Sequence, residues 1–201
     1  MINKIGLNIM IDQSVEFFGD AEIGHCSAIG YDDGTMSDSG ITKIGKNVKI
    51  GAFTIVEKNC IIGDCVEIGN YCTIYEDAII GDRVKILTGS RIYWGAKIGS
   101  ESIINAIISA NVIIEDSVRF FGRIAHSHRN HTLDWETTEE LSPLFKKNCF
   151  IGLGALIIGN ITIGERAYVA AGEVLRFDLP PDTVFYKGKI HDKQNFRGLI
   201  T

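Results

Sequence analysis

Three of the five histidines in this 201-residue chain stand within one six-residue stretch, at His126, His128 and His131 of "RIAHSHRNHTLDW". Imidazole titrates near neutrality, so a cluster of this kind can hold a metal, move a proton or build a polar interface. His126 and His131 are spaced like metal ligands. A shared zinc site would need a further histidine, and the upstream candidate is His25, about a hundred residues earlier. No metal is therefore expected, which leaves proton transfer and a polar interface as the readings of the cluster. Asp134 and Glu136 stand close enough in sequence to orient an imidazole or touch a substrate, and either is equally compatible with a solvated loop charge.

The segments around the histidines have a period of six. From Ile44 an aliphatic residue returns at Ile50, Val56, Ile62, Ile68, Ile74, Ile80, Ile86, Ile92, Ile98 and Ile104. Two places before each comes a small or β-branched residue, such as Val48, Thr54, Cys60, Val66, Cys72, Ala78 and Ser90. Neither a helix nor an ordinary strand repeats at six. One inward aliphatic residue, one inward small residue and a corner describe one side of a triangular coil, with three hexads to a turn. Gly often follows the aliphatic residue (Gly45, Gly51, Gly63), and Asn or Asp often comes next but one, which predicts a tight corner with positive φ. The pattern recurs in other phases at Ile5 to Ile29, Ile108 to Phe120 and Phe145 to Val169, so each phase change marks an insertion or a slip. The expected fold is an all-β parallel coil of roughly seven turns, about 35 Å tall at ~4.8 Å per turn.

Excursions from a rigid repeat are where function concentrates. One is the inserted loop 31–42, whose Asp32, Asp33 and Asp38 lack the full spacing of a calcium loop and read as solvated. The other is the histidine loop 126–144. After Val174 the paired prolines Pro180 and Pro181 end the coil, and 175–201 reads as a cap with Phe185 and Tyr186 packed on the open end. Arg176, Lys187, Lys189, Lys193 and Arg197 give that tail a positive excess suited to a phosphate-bearing ligand. Tyr75, Tyr93 and Trp94 fall at or next to corners and should point outward, where they line a subunit interface (the favoured reading), hold a substrate, Trp94 being the candidate, or are simply partly exposed.

The net charge of -5 opposes a nucleic-acid surface. No stretch approaches the roughly eighteen apolar residues of a membrane span, and the first residues lack a signal-like apolar core. One domain over 1–201 and a cytoplasmic location are expected. Cys26, Cys60, Cys65, Cys72 and Cys149 show no C-x-x-C pairing, and Cys60, Cys72 and Cys149 fall on the inward small position, so they read as core.

The repeat from Ile5 to Val174 resembles the hexapeptide-repeat, left-handed parallel β-helix proteins. The left hand is what the resemblance implies, since it breaks the usual right-handed crossover preference. Ile151, Gly152, Ile163, Gly164, Val169, Ala170, Ala171 and Gly172, followed by Asp178, Pro180, Pro181 and Thr183, are similar to the end of the galactoside, maltose and xenobiotic O-acetyltransferases. "NHTLDWET" resembles their histidine segment, which implies His131 as the general base, with His128 in reserve, and leaves Asp134 beside the acceptor. The same resemblance implies an acetyl-CoA groove on Phe150, Gly152, Leu153, Ala171 and Gly172, with Arg176, Lys187 and Lys189 toward the phosphates. It also implies a homotrimer with active sites between subunits and a small-molecule or saccharide acceptor. Phe177 stands where relatives commonly carry Lys. The readings left open are N-acetyl transfer to a sugar amine, a zinc protein like the γ-class carbonic anhydrases, and a non-catalytic scaffold.

Overall fold

The structure, a computed structural model, describes residues 2–32, 40–125 and 141–196. Its strands are two to four residues long and recur in rotation on three faces, as the hexads require. The first face is an eleven-stranded sheet from Ile2–Ile5 to Lys189–Asp192. The second is a six-stranded sheet ending at Ile107–Ile108, above which lies a three-stranded sheet of Arg123–Ala125, Leu156–Ile158 and Val174–Leu175. The third is an eight-stranded sheet from Glu16–Phe17 to Thr162–Ile163. Pairing is parallel with aligned hexads: Glu67 lies beside Lys85 and Ile68 beside Ile86.

Both inward series form the core. Ile44, Val56, Ile74 and Ile92 are fully buried, and so are Val48, Val66, Ala78 and Val84. Each buried isoleucine contributes roughly 1.5–3 kcal/mol relative to exposure. A hydroxyl at the small position also stitches coils together. Thr54 Oγ1 donates to the Gly69 carbonyl at 2.8 Å and accepts the Cys72 N–H at 3.2 Å. Cys60 and Cys72 occupy the same position, their thiols directed at the Tyr75 and Leu87 carbonyls. Burial raises the Cys60 and Cys72 thiols and pushes Cys149 up to about 12, which leaves all three protonated and inert.

The corners differ from the expectation in one respect. Positive φ falls three residues after the aliphatic one, at Asn47, Cys65, Arg83 and Glu101 among others. The glycine directly after the aliphatic residue serves close approach instead. A Cβ on Gly45 would lie 2.6 Å from the Gly63 carbonyl carbon, and one on Gly69 would lie 2.5 Å from the Thr88 nitrogen. That closeness lets the residue next but one reach back a full turn: Asp64 Oδ1 accepts the Lys46 N–H at 2.7 Å, and Asn70 Oδ1 accepts that of Ala52 at 2.8 Å. The Asn and Asp residues of the pattern therefore act as bridges between coils.

The phase slips are shortened corners, with only Asn105 and Ala106 between two strands and only Phe121 and Gly122 between two others. The stack is also taller than the roughly seven turns expected, because the open first turn and the tail each add strands to the first face. At the open end Ile5 is 54% exposed, in contrast to its later equivalents. The tail adds the parallel strand Thr183–Tyr186 and folds back as Lys189–Asp192, with Phe185 buried against Phe177. The inserted loop is tied at its root by a buried Lys58, whose Nζ lies 2.8 Å from Asp32 Oδ2. No described helix is long and apolar enough to cross a membrane.

Candidate active site

The edge joining the first face to the three-stranded sheet gathers most of the expected groove. Gly152 and Leu153, then Ala171 and Gly172, then Lys187 and Gly188 lie at successive levels of this edge, with Phe150 just before it. The Gly154 N–H donates to the Phe121 carbonyl at 3.1 Å, and the Gly172 N–H donates to that of Leu153 at 3.0 Å. Gly152 is a close-approach glycine, since its Cβ would sit 2.5 Å from the Ala171 nitrogen. Gly154 and Gly172 have φ of +70° and +73°, and a Cβ on either would meet nothing within 4 Å. Together they leave a strip of bare backbone with Leu153, 70% exposed, beside it. Above the strip, Glu173 accepts the Lys187 and Gly188 N–H groups at 2.6 and 3.2 Å, which fixes the hairpin turn.

On the first face Phe150 stacks against Tyr168 with centroids 5.0 Å apart, and Phe121 lies 5.7 Å from Phe150. Glu173, Phe121 and Tyr168 were not singled out from the sequence. They occupy ordinary outward or corner positions, where only knowledge of the neighbouring coil gives them a role. Lys187 sits 5.2 Å from the Tyr186 ring centroid, and Lys189 pairs with Tyr186 across the hairpin. Arg176 is placed apart from these lysines, exposed at the far end of the three-stranded sheet. Lys193 is engaged elsewhere, its Nζ donating to the Arg166 carbonyl at 2.7 Å.

That far end is where the histidine-bearing segment leaves the coil. The chain departs after Ala125 and is described again from Leu141, where Ser142 Oγ donates to the Ala110 carbonyl at 2.6 Å. His126, His128, His131 and Asp134 lie outside the described residues. Trp94 is on the same edge, 48% exposed, and its carbonyl accepts the Asn111 N–H at 3.0 Å. A strand of three residues, roughly 10 Å, separates this edge from the glycine strip. Leu156, Ile158 and Val174 form an outward apolar floor between the two.

The third edge holds a concavity of about 670 Å³ lined by residues including Glu115, Lys146, Thr162 and Pro180. Two of its charges pair with each other: Lys146 Nζ lies 2.8 Å from Glu115 Oε1, and this contact holds the Glu115 carboxyl below its ordinary range. The exit motif is structural, because Asp178 Oδ1 accepts the Thr162 N–H and Thr183 Oγ1 donates to the Pro180 carbonyl. Among the described residues no group of three or more His, Cys, Asp and Glu is placed to hold a metal. His25 accepts the Leu7 N–H on Nδ1 near the open end.

Residues 41–76 match the family model described as bacterial transferase hexapeptide (six repeats). Over 75 residues the chain is 36% identical to a serine acetyltransferase of Buchnera aphidicola subsp. Schizaphis graminum, a match covering 37% of this chain and 27% of that protein. Over 39 residues it is 44% identical to the bifunctional protein GlmU of Agrobacterium fabrum, covering 19% of this chain and 9% of that protein. The chain thus matches about a quarter or less of the length of these relatives. The solved structure of LpxA from Acinetobacter baumannii superposes with a TM-score of 0.54 at 15% identity, over 90% of this chain and 70% of that one. The repeat period, the stacked strands on three faces and this superposition give the chain the left-handed parallel β-helix fold, and residues 41–76 match the hexapeptide-repeat model.

Proposed function

We propose that this protein transfers an acetyl group from acetyl-CoA to a hydroxyl of a saccharide or small sugar-like acceptor, with His131 as general base. The observation that carries the reading is the bare backbone strip at Gly154 and Gly172. Its unhindered edge suits a narrow, extended thioester arm, and the apolar floor of Leu156, Ile158 and Val174 leads from it toward the point where the histidine-bearing segment leaves. Phe150, Gly152, Leu153 and Ala171 complete the strip, and Lys187 and Lys189 stand above it for the phosphates. Arg176, across the sheet, is assigned to the acceptor end of the site. The strip is open to one side, which fits a second subunit closing it in a homotrimer.

In the reaction His131 takes the proton of the acceptor hydroxyl as its oxygen attacks the thioester carbonyl. The tetrahedral intermediate collapses with cleavage of the C–S bond, and the proton passes from the imidazolium to the departing thiolate. The acetyltransferase relatives support acyl transfer. His128 is the reserve base, and Asp134 is assigned to the acceptor or to orienting the ring.

Calorimetric titration with acetyl-CoA, paired with thiol release over a panel of sugars, tests this. His131→Ala should bind acetyl-CoA within a few-fold of wild type and lose about 10²–10⁴ in turnover. Loss confined to His128→Ala would move the base, and no acetyl-CoA binding by the wild type would overturn the reading in favour of a scaffold.

A further inference from the structure

Along the edge from which the histidine-bearing segment departs, Tyr75 and Tyr93 are stacked with centroids 4.6 Å apart, and Trp94 meets Tyr93 at 5.6 Å and 62°. Register places small residues directly above them. Tyr93 donates its N–H to the Ile108 carbonyl, which puts Ser109 over Tyr93, and Asn111 donates to the Trp94 carbonyl, which puts Ala110 over Trp94. The step from large rings to Ser109 and Ala110 leaves a shelf. Its floor is aromatic, and its rim carries the Ser109 hydroxyl and the Asn111 amide. Burial raises the Tyr75 phenol, with the neighbouring Tyr93 adding to the effect, so Tyr75 stays neutral.

We propose that this shelf binds a pyranose ring of a carbohydrate acceptor, its C–H face on Trp94 and Tyr93 and its hydroxyls toward Ser109 and Asn111. The inference rests on the acetyl-transfer reading for its direction and on the stacked rings for its site. A pyranose has one apolar face and a polar rim, which is the pattern displayed here. The floor is two rings wide, small beside the ~800 Å² per partner of a stable protein interface. It also sits one coil below Ala110, whose carbonyl accepts from Ser142 Oγ, and two coils, roughly 10 Å, below Ala125.

Trp94 and Trp135 are the two tryptophans of the chain, so Trp135→Phe leaves Trp94 as sole reporter. Its emission should shift and saturate on titration with maltotriose, sialyllactose or a methyl glycoside. In the acetyl-transfer assay Trp94→Ala should raise the acceptor KM roughly tenfold, with a smaller change in kcat and an unchanged acetyl-CoA affinity. Emission silent to every sugar in the panel, or an acceptor KM unmoved in Trp94→Ala, overturns the shelf while leaving acetyl transfer intact. A fall in oligomeric mass of Trp94→Ala by sedimentation would make the rings a subunit contact, with half-exposed Ile107 and Ile113 beside them, and also overturns it. Absence of transfer to any acceptor defeats the acetyl-transfer reading, and the emission titration then decides the shelf by itself.

Discussion

The edge between the first and second faces changes character halfway up the stack. In the lower coils its positive-φ corners carry Asn8, Cys26, Phe53 and Tyr71, and the last two stack with centroids 5.0 Å apart. In the upper coils the same position holds Gly89, Gly154 and Gly172. The edge between the third and first faces keeps side chains throughout, from Asn47, Cys65 and Arg83 to Asn148, Arg166 and Asp182. A left-handed conformation costs an ordinary residue ~1–2 kcal/mol, and this chain accepts that cost at many corners. Corner geometry therefore does not demand glycine at 154 and 172. What glycine adds there is the absence of a side chain over open space, which the proposed acetyl-CoA groove requires. The contrast separates two kinds of glycine: Gly152 is required for packing, and Gly172 lies bare over open space.

Substitutions at the two should part accordingly. Gly152→Val drives its side chain into the Ala171 backbone, so it should lower stability by about 3 kcal/mol or more, seen as a large fall in melting temperature or as insoluble protein. If it melted like wild type, the close-approach account of the corners would be wrong. Next in size is Thr54→Val, which removes the bridge to Gly69 and leaves the Cys72 N–H without its hydroxyl partner, at a cost of about 1–3 kcal/mol in denaturant unfolding. Thiol titration sharpens the inside-outside division without a mutation. Cys26 and Cys65 should react in the native protein, and Cys60, Cys72 and Cys149 only after unfolding.

The smallest effect belongs to Glu115. Lys146 depresses its carboxyl, so the stabilisation is present above its ordinary value of 4.5 and is lost as the pH falls through the lower folded value. Glu115→Gln should lower the melting temperature modestly at pH 7 and show little difference from wild type in strong acid. An equal difference at both pH values would deny the pair its role.

Much of this arrangement is legible in the sequence, because a core position repeated every sixth residue leaves Ile44, Ile62 and Ile80 no alternative but to stack. The corners are less so. Gly45 and Asn47 both look like candidates for positive φ, and only the neighbouring coil reveals that one is a contact and the other a turn. The exposure of Ile5 is likewise hidden, since the repeat reads the same at an open end as in the middle. Of the site, Gly152 and Gly172 are reached through the family resemblance, whereas Gly154, Phe121, Tyr168, Glu173 and the Tyr93–Trp94 shelf depend on register between residues far apart in sequence. The histidine cluster stands out by composition and His131 within it by the resemblance of its segment, and these residues lie outside the described ones.

The central claim is that the bare strip at Gly154 and Gly172 is where acetyl-CoA lies. Its most direct test is calorimetric titration of acetyl-CoA into wild type and Gly172→Asn, an exchange that the left-handed corner tolerates and that places a side chain over the strip. The account predicts melting temperatures within a few degrees of each other and a loss of acetyl-CoA affinity of about tenfold or more for the variant. Equal affinity in two equally stable proteins would contradict it.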